Sequence, residues 1–195
     1  MIDRLNQGLR KVPVWLLYLL GALYPGWLLY LGVTGGLGPD PVKALEHALG
    51  EAALQLLIVG LAVTPLRRFL GLNLLKFRRS VGVLAFTYVA LHFLVWLLLD
   101  VQILSQVFND IIKRPYITIG MVGFALMLPL ALTSNNLSLR RLGAARWRRL
   151  HLLTYPAVLL AALHFVMLVK GFQIEPLIYL SVVLFLLLCR IRVVG

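Results

Sequence analysis

Long apolar runs alternate along the chain with short polar ones. Six of the runs are long enough to cross a bilayer, near residues 13–33, 46–66, 81–100, 116–134, 151–170 and 176–194, since a helix needs about 20 apolar residues to span the hydrocarbon. An open sheet cannot cross lipid because its edge amides would be left unsatisfied, so the runs are predicted to be helices. The first run is long and is followed by others of similar length. It therefore reads as a membrane span and not as a removable signal peptide, which would have a shorter apolar core and a small-residue cleavage site. No internal repeat is evident. The pattern predicts an all-α integral membrane protein: one six-transmembrane-helix bundle over residues 1–195, with short loops and no attached soluble domain.

Composition agrees with the pattern. Of 195 residues, 61% are hydrophobic and only 13% are charged, more apolar side chain than a soluble domain of this length can hide. The net charge of +12 invites a nucleic-acid partner, but its distribution argues against one. All the lysines and arginines except Lys43, Lys113, Arg114 and Lys170 fall on one side of the predicted spans: at the N-terminus, in the 67–80 and 135–150 loops, and at Arg190 and Arg192. The positive-inside rule places that side, with both termini, in the cytoplasm. The acidic residues other than Asp3 lie on or near the outer side. The basic loops then face membrane lipid, where each cation is favoured beside anionic headgroups. The single cysteine, Cys189, cannot form an internal disulfide, and no C-x-x-C-H occurs, so covalent c-type haem attachment is excluded.

The chemistry lies in the histidines. His92 sits roughly twelve residues into the third span, about 18 Å from its cytoplasmic end, and His164 lies about 20 Å along the helix axis from His151 in the fifth. The third and fifth spans run in the same direction, so His92 and His164 share a depth in the outer half, while His151 stays near the cytoplasmic boundary. Ionisable side chains inside spans are rare and usually line a site. Two imidazoles at matched depth on separate helices suit the two axial positions of one haem iron; the other use of such imidazoles is hydrogen bonding between helices. His47, in a polar stretch on the outer side, has an ordinary interfacial setting. Thirteen steps at 100° leave His151 and His164 about 220° apart on a straight helix, with Pro156 between them as a source of a kink.

These residues, with "VTPLRR" at 63–68, "RRSVG" at 78–82, "YVALH" at 88–92, "RPYITIG" at 114–120, "LPLALTS" at 128–134 and "LGAARWRRLHLLTY" at 142–155, resemble the ferric reductase-like transmembrane family over nearly the whole length. The resemblance implies a helical bundle in the bacterial inner membrane that holds b-type haem. The nearest branch passes electrons from a cytoplasmic-side donor, quinone or a flavin reductase, to a periplasmic molybdopterin subunit that reduces methionine sulfoxide in oxidised proteins. FMN is also implied. Carried over, His92 and His164 are the metal ligands of an outer haem, and His151 is the family's inner histidine. Two-haem relatives have a second histidine on helix three, where this chain has "KFRRSVG". That leaves His151 either to ligate an inner haem with another partner or to contact a flavin. Arg78, Arg79 and Trp147 are candidates to bind a propionate or a flavin phosphate; their ordinary roles are headgroup contact and interfacial anchoring.

Two neutral imidazoles saturate the iron and favour electron transfer over oxygen chemistry. Leu91, Phe93 and Phe165 are the expected apolar shell, and the outer stretches "TGGLGPDPVKALE" and "DVQILSQVFNDIIKRPY" are the expected docking surface for the partner. No Rossmann glycine pattern is present, so the electron donor is expected to be a separate protein. The alternatives are a stand-alone ferric reductase cytochrome b and a non-redox transporter or assembly module. Tyr24-Pro25-Gly26 would be the broken helix of a transporter, but no acidic residue lies at the centre of any span.

Overall fold

The computed structural model describes residues 2–169, 171 and 173–190, and the regular structure among them is helical: α1 Ile2–Lys11, α2 Val14–Thr34, α3 Pro41–Leu70, α4 Arg78–Val95, α5 Leu104–Lys113, α6 Pro115–Leu132, α7 Asn136–Leu150, α8 Thr154–Leu168 and α9 Ile174–Leu188. A 3₁₀ turn, Leu75–Phe77, leads into α4, a π-helical segment, Trp96–Val101, follows it, and a second 3₁₀ turn, His151–Leu153, leads into α8. The chain folds as two compact units, Met1–Gln102 and Ile103–Gly195.

Five stretches are long and apolar enough to cross a membrane: Val14–Thr34, Pro41–Leu70, Leu75–Val101, Pro115–Leu132 and Asn136–Leu168. The expected sixth span is represented by α9, an apolar helix of 15 residues, about 22 Å of rise. The rest of that run, residues 191–194, lies outside the described residues, as do Lys170 and Arg192 from the charge pattern. Large apolar side chains face outward; Trp15 is 63% exposed, Leu132 73% and Phe185 63%. Exposed apolar surface on this scale, on helices long enough to cross a bilayer, fits contact with lipid.

In the first unit α3 packs along α4, and α2 contacts both. Leu28, Leu45, Leu49, Ala53, Tyr88 and Val95 form its core. Asp40 caps α3 by accepting from the Lys43 N–H at 3.3 Å, Pro41 occupies the first turn, and Gly71 ends the helix in a left-handed conformation (φ 69°). These caps carry α3 to 30 residues, well past the 46–66 of the apolar pattern. Pro25 does not break α2, which runs unbroken from Val14 to Thr34. A proline has no N–H to give the carbonyl four residues back. Here that carbonyl belongs to Gly21, and the Tyr88 hydroxyl donates to it at 2.7 Å. The interruption that suggested a transporter is thus repaired by a neighbouring helix. Lys76, read as a headgroup contact, donates instead to the carbonyls of Arg10 and Val12 at 2.8 and 2.7 Å. It ties the α1–α2 junction to the turn before α4.

In the second unit α6 packs along α8, α9 packs on α8, and α5 sits against α6. Small residues allow the close approach. Ala157, Val158 and Ala162 are buried on α8, and the Gly123 Cα on α6 faces the Leu160 Cβ and the Ala157 carbonyl. The predicted loops at 101–115 and 135–150 contain helices α5 and α7. Gly143, at φ 74° and ψ 155°, kinks α7, a conformation that a residue with a Cβ rarely adopts.

Candidate functional site

His92, near the C-terminal end of α4, reaches across to α3. Its Nδ1 lies 2.8 Å from the Glu46 carbonyl oxygen. A carbonyl can only accept, so Nδ1 carries the hydrogen, and in the neutral ring the ligating lone pair is on Nε2. In an α-helix the carbonyl of residue 46 also accepts from the N–H of residue 50, so the imidazole shares it, using the second lone pair. Residue 50 is glycine. A Cβ there would lie 3.0 Å from the His92 Nδ1 and 3.1 Å from its Cε1. The missing side chain leaves room for the ring beside the carbonyl it bonds.

The second unit repeats this construction. His164 on α8 donates from Nδ1 to the Tyr116 carbonyl on α6 at 2.7 Å. The residue four positions after Tyr116 is again glycine, Gly120, and a Cβ there would fall 2.8 Å from Nδ1 and 3.0 Å from Cε1. Both rings are half-buried. Each unit therefore offers one imidazole, fixed in the tautomer that presents Nε2, with its other nitrogen held by backbone. Metal-bound histidines commonly show this support. Next to each histidine in sequence, Phe93 meets Trp96 at a tilt with centroids 5.9 Å apart, and Phe165 meets Tyr179 likewise at 5.7 Å.

His151 is held differently. Its Nε2 lies 3.1 Å from the Thr133 Oγ1, and that hydroxyl is itself 2.6 Å from the Pro129 carbonyl. Two oxygens so close need a hydrogen between them, so Thr133 donates to Pro129 and accepts from His151. Nε2 of His151 therefore bears the proton. Trp147 stacks on the ring with centroids 3.8 Å apart and donates from its indole N–H to the Thr133 carbonyl at 2.9 Å. His151 and His164 both reach α6, one beyond its C-terminal end and the other at its first turn. The expected 220° divergence assumed an unbroken α-helix. The 3₁₀ turn His151–Leu153, just before Pro156, changes the phase, because it advances about 120° per residue where an α-helix advances 100°.

Arg78 and Arg79 open α4 and are exposed, in the first unit; Trp147 and His151 belong to the second. His47 is exposed on α3. Among the described residues no group of three or more histidine, cysteine, aspartate or glutamate side chains could hold a metal ion. The donor set is that of single imidazoles, which suits a group that brings its own equatorial ligands, as a porphyrin does. The residues that the pattern of apolar and polar positions did not single out are the carbonyls of Glu46 and Tyr116, with Gly50, Gly120 and Thr133. The available signal was a glycine inside an apolar helical run, which usually has a packing reason.

Residues 49–162 match the family described as "Ferric reductase like transmembrane component". Curated proteins of Brucella ovis and Brucella abortus, each named "Protein-methionine-sulfoxide reductase heme-binding subunit MsrQ", are 51% identical to the chain over 179 residues, 91% of this chain and 81% of theirs.

Proposed function

The chain belongs to the ferric reductase-like transmembrane family and to its MsrQ group, and on that premise we propose that it is the electron-transferring haem subunit of a methionine sulfoxide reductase. In this reading His92 and His164 would hold b-type haem through their Nε2 atoms. The observation that carries it is the pair of Nδ1–carbonyl bonds, which gives two histidines on different helices the same tautomer. Haem bound there would supply a one-electron carrier. The protein's share is to hold both rings neutral, fix their orientation through the carbonyls of Glu46 and Tyr116, and keep water away with apolar side chains. His151 donates from Nε2 to Thr133 and keeps its lone pair on Nδ1; in this reading it is not a ligand of that haem. With Trp147 it braces the end of α6.

The direction of transfer is taken from the family resemblance, and the charge pattern supplies the sidedness. The basic segments 67–79 and 140–149 lie on the cytoplasmic face of the bacterial inner membrane, where quinol or a flavin reductase, directly or through bound FMN, delivers electrons. The acceptor is a periplasmic molybdopterin subunit that docks at the opposite face. Purification in detergent with haem supplied tests the centre. The wild-type chain is expected to give a reducible b-type spectrum, and His92→Ala and His164→Ala each to lose most of it. Unchanged spectra in both variants would refute the axial assignment. Reduction of ferric chelates at the same rate with and without the periplasmic partner would favour a stand-alone ferric reductase instead.

A further inference from the structure

The strongest structural constraint at each histidine comes from a residue without a side chain. Most helical glycines in the chain have room for a methyl group. A Cβ at Gly60 on α3 would meet only the Val81 Cγ1 at 3.8 Å, and one at Gly123 on α6 the Leu160 Cβ at 3.6 Å and the Ala157 carbonyl at 3.8 Å. These are ordinary van der Waals contacts. At Gly50 and Gly120 the three nearest atoms all belong to an imidazole, at 3.0 Å and 2.8 Å for the closest. At Gly21 a Cβ would come even closer to a neighbour, 2.6 Å, but that neighbour is the Leu84 Cδ2, the flexible tip of a side chain, which can swing away. An imidazole tied through Nδ1 to a carbonyl at 2.8 or 2.7 Å can retreat only by stretching that bond.

We propose that Gly50 and Gly120 are positioning residues that seat the rings of His92 and His164 on α3 and α6, fixing the plane and tautomer in which each presents Nε2. The proposal rests on the axial reading of those two histidines. The geometry behind it is general. In a helix the side chain of residue i+4 stands over the carbonyl of residue i. A third group can use that carbonyl from the side only where position i+4 is bare. The chain meets this condition twice, with Glu46 and Gly50 in one unit and Tyr116 and Gly120 in the other. A methyl group at either glycine pushes the ring off its carbonyl, which loosens the ligand and removes the bond that keeps the hydrogen on Nδ1. The effect should be larger at Gly120, where the approach is closer.

The test compares Gly50→Ala and Gly120→Ala with Gly60→Ala and Gly123→Ala, one of each on the same two helices, all as full-length chains purified in detergent and titrated with haemin. Weakened support of a ligating histidine typically lowers affinity for the metal group about 10- to 100-fold. That loss is expected for the first two variants, together with shifted g values in the low-spin electron paramagnetic resonance spectrum. The two controls should match the wild type in both readouts. Wild-type affinity and spectrum in Gly50→Ala and Gly120→Ala would overturn the inference and leave the axial reading standing. Equal losses in all four variants would also overturn it, by showing a general packing effect. A wild-type chain that takes up no haem overturns both. If an alanine variant does not extract as folded protein, its ring-free partner decides: Gly50→Ala/His92→Ala and Gly120→Ala/His164→Ala must recover folded protein, because the obstruction is the ring. Failure of those double variants to fold counts against the inference.

Discussion

A histidine's two ring nitrogens are not equivalent once one of them is tied. His92 and His164 spend Nδ1–H on backbone carbonyls, whereas His151 donates from Nε2 to Thr133. All three are half-buried, and all three were candidate ligands by position. The difference between them lies in the partner, not in burial. Replacing His151 by alanine is therefore expected to leave the haem-to-protein ratio at the wild-type value, where His92→Ala lowers it. Thr133→Val removes the acceptor of the His151 proton and should reduce thermal stability by about 1 kcal/mol, the usual net value of a neutral hydrogen bond. It should leave the haem spectrum unchanged. A bleached spectrum in Thr133→Val would mean that His151 ligates iron.

At the scale of single helices, the polar groups of one element are completed by the next. Pro25 removes a hydrogen bond from α2, and the Tyr88 hydroxyl on α4 restores it at the Gly21 carbonyl. Lipid offers no substitute for a missing backbone partner. Tyr88→Phe should therefore destabilise the first unit by about 1–3 kcal/mol, the range for a buried group left unsatisfied. In a Pro25→Ala background the alanine N–H can serve Gly21 from within the helix, so the same Tyr88→Phe change should have a smaller effect. A double-mutant cycle of melting temperatures checks this coupling; equal effects in both backgrounds would show that the two residues act independently. The ends of α3 obey similarly local rules. Asp40, Pro41 and Gly71 are ordinary stop and start signals, and they extend the helix on both sides of its apolar stretch.

For the whole molecule, composition decides which solvent the chain meets, and charge placement carries the proposed sidedness. The positive-inside reading predicts that single cysteines at Arg140 or Arg79, introduced with Cys189→Ser, are protected in intact cells from a membrane-impermeant thiol reagent. Cysteines at Asp40 or Lys113 should be labelled from outside. The reverse labelling pattern would invert the proposed direction of electron flow. Within this frame the chain builds two compact units, each holding one histidine by the same arrangement of carbonyl and glycine. The repetition is hidden in the sequence. "EHALG" at 46–50 and "YITIG" at 116–120 share their last residue and little else, because the shared acceptor is a backbone carbonyl and any residue can supply one.

The sequence by itself determined that the chain is helical, which stretches are apolar enough to meet lipid, and which histidines fall inside them. These depend on apolar length, charge and position, all additive along the chain. Tertiary structure alone decided which nitrogen of His92, His151 and His164 carries the hydrogen, that Thr133 accepts from His151, and that Tyr88 completes the helix that Pro25 interrupts. Those outcomes require atoms from two segments 18 to 67 residues apart to meet at hydrogen-bond distance. Hydrophobic periodicity carries no record of such a meeting, because it is set by how closely two backbones can approach.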